Sequence, residues 1–315
     1  MCAPGYEYWS LFLKAGYDRL GAEDAQHQDN KRGCDGGMRD LLAELNAMCD
    51  RQPFSTNWFL KSLVTGETAE RGGDEIVASA STRKTSIMMA ALKEVHEGRF
   101  NLDDPVVMQA KYQNNSSGTF QHLTPGFTIT FRDALVMMII VSDNTCTGTV
   151  ADMIGIDKLN EYCKSIGMTS TTHRYGLPPI PLEDSLEAMT VTTANDQGLL
   201  LEMILDGVRC EQSAAKLGST PELCKLGLDI LSWQKLRTRL PSFLPQGTIV
   251  AHKTGTGPHN YNDAGIVFAG EKPLFILTAY TGHVPVEMED GTPGFAQAAM
   301  HIGKMARACY DALKI

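Results

Sequence analysis

Apolar residues along this chain fall first at helical spacing, then gather in a strand-like run, return to helical spacing, and end in short β-rich runs. Between 38 and 49, Leu41, Leu42, Leu45 and Met48 recur on one helical face. Trp58-Phe59-Leu60-Lys61-Ser62-Leu63-Val64 reads as a strand, Thr65-Gly66-Glu67 as a turn, and the chain returns toward Val77, which completes a hairpin. From Ser81 the period lengthens again. Ile87, Met88, Ala91, Leu92 and Val95 share a face, and the helix stops near Gly98. Thr130-Phe131-Arg132-Asp133 resembles a capping box, since the hydroxyl and the carboxylate can satisfy free backbone N–H groups. The helix it opens runs through Val141, and further helical segments cover about 156–166, 194–206 and 221–238. Strands follow at 248–254, 264–269 and 274–281, and a final helix spans about 295–313.

Two strands early, helices in the middle and three strands late give an α+β chain. The simplest closed arrangement is one five-stranded antiparallel sheet covered by helices, with an all-helical lobe inserted between the strand groups. Residues 1–38 read as an extension. Tyr6, Tyr8, Trp9, Leu11, Phe12, Leu13 and Tyr17 suit a short helix with an aromatic face, and the polar, Gly-rich stretch from Gly21 to Gly37 suits a linker. The remaining 39–315 form one catalytic domain, with an α/β lobe at about 39–98 and 240–315 and the helical lobe at about 99–239.

Charge and composition narrow the function. A net charge of −9 argues against a nucleic-acid partner, because phosphate backbones need a clustered basic surface. The longest apolar run, Ala134 to Val141, is far short of the ~20 residues that cross a bilayer, so no membrane partner is expected. The N-terminus has no basic segment followed by an apolar one, as a signal peptide would. A cytoplasmic location is therefore expected, or a periplasmic or secreted one if a leader has been removed. Eight cysteines without a Cys-x-x-Cys pair suit buried thiols in a reducing compartment better than a disulfide framework. The histidines show no metal-ligand spacing, and neither a metal nor a cofactor is implied.

Three short strings carry the chemistry: Ser81-Thr82-Arg83-Lys84, Ser142-Asp143-Asn144 and Lys253-Thr254-Gly255. Each has a bland reading. Ser81 could be an ordinary helix cap with Lys84 a surface lysine, the second string a polar helix end, and the third a Gly-rich turn. Sixty-one residues separate Ser81 from Ser142, and 111 more lead to Lys253. In this order and at this spacing the three strings are the joint signature of penicillin-recognising serine hydrolases. From about residue 54 onward the chain resembles that superfamily, and within it the class A β-lactamase-like branch.

The resemblance implies the same five-stranded fold and assigns roles by motif position. Ser81 would be the nucleophile, and Lys84, one helical turn on, the base that takes its proton. Ser142 would relay a proton to the leaving group, while Asn144 holds the substrate amide and Lys84. Asp143 would brace the loop. Lys253 would supply positive charge for a substrate carboxylate and keep the neighbouring lysine deprotonated, and Thr254 would hydrogen-bond the carboxylate. Gly255 would let substrate approach closely. The backbone N–H groups of Ser81 and Thr256 would form the oxyanion hole. The implied partner is a small-molecule lactam, amide or ester, and the implied reaction is attack on its carbonyl through an acyl-Ser81 intermediate. An acyltransferase, a peptidase or esterase, and a slowly deacylating β-lactam-binding protein are alternatives on the same scaffold.

One departure stands out. Class A β-lactamases clear the acyl-enzyme with a glutamate in a Glu-x-x-Leu-Asn loop. Counting back from Thr192-Thr193 places Gly176 or Leu177 at that position, within Arg174-Tyr175-Gly176-Leu177-Pro178-Pro179. Matching by pattern instead selects Glu183 in Glu183-Asp184-Ser185-Leu186-Glu187, about six residues too near Thr192. The count leaves the loop without its base, and the pattern makes Glu183 the candidate.

Overall fold

The computed structural model describes residues 35–113, 115, 117–177 and 185–314. Ser55–Ser62 (β1) and Thr68–Arg71 (β2) form a hairpin, and Val250–Thr256 (β7), Tyr261–Ala269 (β8) and Lys272–Gly282 (β9) form a meander. They join into one antiparallel sheet in the order β2-β1-β9-β8-β7, which leaves β7 at an edge.

Strand alternation sorts the side chains to two faces. Val250, Val267, Phe275 and Leu277 pack with Leu41 and Leu45 of the first helix (α1, Asp35–Asp50) and with Ile302 and Met305 of the last helix (α9, Gly294–Leu313). Their neighbours Ala251, Ile266 and Ile276 point the other way, into the core shared with the helical lobe. Two residues after Ala251, Lys253 falls on that inner face too.

The inner helices are α2 (Lys84–His96), α3 (Phe131–Ile140), α4 (Asn144–Ile154), α5 (Ile156–Ser165), α6 (Ala194–Arg209), α7 (Glu211–Lys216) and α8 (Pro221–Ser232). Side-chain caps fix where several begin. Thr130 accepts from the Asp133 N–H at α3, Asp143 from Cys146 at α4, Thr193 from Asp196 at α6, and Thr220 from Leu223 at α8. Helix α2 is the centre of the molecule. Every residue from Lys84 to Leu92 is buried, and the helix packs on α3, α4, α5 and α8. A helix enclosed on all sides holds whatever it carries at its start with little freedom.

Several boundaries differ from the sequence expectation. The hairpin ends at Arg71, and Val77–Ala78 (β3) instead pairs with Val191–Thr192 (β6) in a separate two-stranded sheet. A second small sheet, Pro105–Val107 (β4) with Thr128–Thr130 (β5), is too short to show in the sequence pattern. Helix α8 stops at Ser232 rather than near 238, because the next residues close the end of α3: the Gln234 amide donates to Ile139 O and the Lys235 N–H to Ile140 O. Helix α1 starts at Asp35, so the last residues of the Gly-rich stretch are helical, and the aromatic segment before it lies outside the described residues. The six described cysteines are free and all but Cys210 are buried. No described helix is long and apolar enough to cross a membrane.

Candidate active site

A 3-10 turn, Ala80–Arg83, leads directly into α2. It opens on Ala80 at φ 44, a left-handed backbone that costs energy for any residue with a Cβ. The turn places Ser81, Arg83 and Lys84 on the wall of a cleft of about 530 Å³ between the sheet edge and the helical lobe. The Ser81 hydroxyl makes no hydrogen bond among the described residues, and Ser79, not Ser81, precedes the turn without a side-chain cap. The ordinary-cap interpretation of Ser81 therefore fails, and so does the surface-lysine interpretation of Lys84, which is 1% exposed.

Ser142 and Asn144 reach the same cleft from the turn between α3 and α4. Ser142 has φ 57, again left-handed. The turn is held by Asp143, whose carboxylate accepts the Cys146 N–H at 3.0 Å and those of Thr119 and Phe120 at 2.8 Å each. The loop passes so close that a Cβ on Gly118 would lie 2.4 Å from the Asp143 Oδ2. From β7 come Lys253, Thr254, Gly255 and Thr256. Thr254 and Thr256 line the cleft. Gly255 stands behind it, and a Cβ there would meet Ser79 O at 2.9 Å, so glycine is what lets the sheet edge lie against the Ser81 turn.

The two lysines converge on one hydroxyl. Lys84 Nζ lies 3.1 Å from Ser142 Oγ, 2.7 Å from Ser142 O and 2.7 Å from Asn144 Oδ1. Lys253 Nζ also lies 3.1 Å from Ser142 Oγ and donates to Thr254 O at 2.8 Å. Burial, the Lys253 charge and the Arg83 charge together push Lys84 well below the ordinary lysine range. Burial, with Arg239 adding to it, brings Lys253 down to about 7. Lys84 Nζ donates to Ser142 O, to Asn144 Oδ1 and to Ser142 Oγ. Ser142 Oγ also accepts from Lys253.

The sequence reading did not single out Arg239 or Arg83. Arg239 is 7% exposed, donates to Gly255 O at 2.7 Å and Asn262 O at 2.6 Å, and reaches Thr256 Oγ1. Burial holds its guanidinium below the ordinary arginine range. No motif surrounds it; only the folded return of the chain before β7 brings it behind the third string. Arg83 donates to Tyr175 O at 2.5 Å and Gly176 O at 2.7 Å, and burial lowers it to about 10. Among the described residues no carboxylate lines the cleft. A chain of net charge −9 has thus gathered four basic side chains, Arg83, Lys84, Lys253 and Arg239, around one cavity.

A sequence profile of the β-lactamase enzyme family matches residues 40–313. The chain belongs to that family. A β-lactamase from Sphaerobacter thermophilus superposes with a TM-score of 0.73 at 25% identity, over 88% of this chain and 97% of that one. PBP-A superposes with a TM-score of 0.74 at 25% identity, over 87% and 95%. The extended-spectrum β-lactamase PER-1 of Pseudomonas aeruginosa is 23% identical over 207 residues, 62% of this chain and 65% of that protein, so the match covers less than two thirds of that relative. The fold is accordingly that of β-lactamases and transpeptidases.

In this family setting the loop after the second motif matters most. The position given by counting, Gly176 or Leu177, carries no ionisable side chain. The alternative, Glu183, lies outside the described residues. His173, at the start of the loop, is buried against Ser86 of α2, with Nε2 3.1 Å from Ser86 Oγ. Burial, with Arg83 adding to it, lowers His173 to about 3, so it stays neutral.

Proposed function

We propose that the protein cleaves a lactam, amide or ester carbonyl through an acyl-Ser81 intermediate, and that release of the acyl group is its slow step. The observation that carries this reading is the position of Ser142 Oγ, 3.1 Å from both Lys84 Nζ and Lys253 Nζ on the wall that Ser81 shares. Lys84 is the base. It takes the proton of Ser81 as the hydroxyl oxygen adds to the carbonyl carbon. The backbone N–H groups of Ser81 and Thr256 are the donors we assign to the oxyanion. When the intermediate collapses, the bond to the leaving nitrogen or oxygen breaks. Ser142 passes that atom a proton, replaced from Lys84. Asn144 fixes Lys84 and the substrate amide. Lys253, Thr254, Thr256 and Arg239 form the anion side of the site and suit a substrate bearing a carboxylate.

Hydrolysis of the ester at Ser81 needs a water with a base beside it, and Gly176 or Leu177 supplies none. A general base contributes typically 10²–10⁴-fold, so an acyl-enzyme without one persists. A structural neighbour supports this reading: a point mutant of PBP-A, 25% identical with a TM-score of 0.74, is described as an acyl-enzyme complex with penicillin G. Intact mass spectrometry after mixing with a chromogenic β-lactam, and separately with simple esters, tests the proposal. An adduct on Ser81 that accumulates faster than product is released is expected, with none in a folded Ser81→Ala variant. Labelling that persists in that variant rejects Ser81 as the nucleophile.

A further inference from the structure

The reaction above uses Lys84 and leaves its neighbour Arg83 without a task. Arg83 is 3% exposed, lines the cleft and forms no ion pair among the described residues. A lone guanidinium withdrawn from water is costly, so what it holds in return is informative. Its two terminal nitrogens donate to consecutive main-chain carbonyls, Tyr175 O and Gly176 O, and its carbon lies 5.1 Å from the centre of the Tyr175 ring. This is the loop position where counting places the missing glutamate. The other end of the segment is tied to α2 as well, through His173 and Ser86, and Asn160 of α5 bonds both the N–H and the carbonyl of His173. At this place, where the family's carboxylate is expected, the backbone carbonyls are held by a cation instead.

We propose that Arg83 is a positioning residue that clamps the 175–176 backbone onto the start of α2 and, held there, sets a fixed charge on the cleft wall it shares with the Lys84 amine that takes the Ser81 proton. The proposal deepens the acyl-Ser81 reading and rests on it. The groups facing Lys84 are Lys253 from β7, Asp143 from the α3–α4 turn, Cys146 from α4, and Arg83 itself; Asp143 and Cys146 oppose the two cations. Those facing Arg83 are Tyr175 and His173 of the loop.

Two variants of the full chain separate the parts. Arg83→Gln removes the charge, and Arg83→Lys keeps the charge but loses the two-pronged geometry. The first measurement is the pH dependence of fluorophosphonate labelling of Ser81, followed by intact mass. In Arg83→Gln the acid limb should move up by about one pH unit, so labelling on that limb falls about tenfold while the alkaline plateau holds. In Arg83→Lys the limb should stay in place. The second measurement is hydrogen–deuterium exchange across 173–177, which should quicken in both variants. A purely structural role would lower the plateau without moving the limb. An unmoved limb in folded Arg83→Gln overturns the electrostatic part, and unchanged exchange overturns the clamp. Wild type that is not labelled at any pH defeats the acyl-Ser81 reading instead, and the exchange measurement still decides the clamp.

Discussion

Replacing Lys253 with methionine should make this protein more stable while abolishing its chemistry, and the gain should depend on pH. Lys253 is fully buried and titrates at about 7 in the fold, against an ordinary 10.5. At about 1.36 kcal/mol per pH unit, that gap is a penalty on the order of 5 kcal/mol for holding the ammonium inside. Methionine has similar length and no charge. Its cost is an unpaired Thr254 carbonyl, about 1–3 kcal/mol, since Ser142 Oγ keeps Lys84 as a partner. The net gain is about 2–4 kcal/mol where the penalty is full. The sign follows from proton counting. Between about 7 and 10.5 the unfolded chain binds a proton at this lysine that the folded chain does not, so wild-type stability rises with pH across that window. Below about 7 both states are charged and the penalty is whole. Urea unfolding of wild type and Lys253→Met at pH 6 and pH 9 is the assay. The variant's advantage should shrink by about 3 kcal/mol at the higher pH. A variant that is less stable at pH 6, with the same difference at pH 9, would refute the claim that Lys253 is held in the fold against its own solvation.

Three further outcomes are expected. If Gly176 or Leu177 truly replaces the deacylating base, Glu183→Gln leaves steady-state turnover of a penicillin unchanged within about twofold; a fall of the 10²–10⁴-fold size expected of a general base would make this an ordinary β-lactamase with a rearranged loop. Asp143→Ala strands the N–H groups of Cys146, Thr119 and Phe120 and should cost about 3 kcal/mol in denaturant unfolding, whereas a loss under 1 kcal/mol would mean water replaces the carboxylate there. Arg239→Ala should weaken binding of a carboxylate-bearing substrate at least tenfold while leaving a neutral ester of the same size nearly unaffected, and equal losses for both would remove Arg239 from the anion side.

The parts of this molecule written in contiguous residues were legible in the sequence. The β-rich runs at 264–269 and 274–281, the cap at Thr130 and the three strings each depend on neighbours within a few positions, and so they could be read. The five-stranded sheet followed from the order of those pieces. What could not be read depends on distant segments meeting. Nothing around Arg239 announces that it will lie behind Gly255, and nothing in Ser81-Thr82-Arg83-Lys84 says that the third residue turns away from the nucleophile to hold Tyr175 and Gly176. Val77 seemed to continue the hairpin because its own preference is extended, and it is; its partner is Val191–Thr192, more than 100 residues later. The end of α8 was misjudged for the same reason, since apolar residues beyond Ser232 continue a helical rhythm that the need to close α3 overrides.

Ser142 sits at φ 57, where a side chain is a burden and hydrogen alone would be comfortable. Relief there is available through one substitution, Ser142→Gly, and it would remove the hydroxyl that Lys84 and Lys253 share. Selection for heat resistance and selection for chemistry therefore pull this codon in opposite directions. A library sorted by melting temperature would gather glycine at this position, and the same library sorted by acyl transfer would discard it.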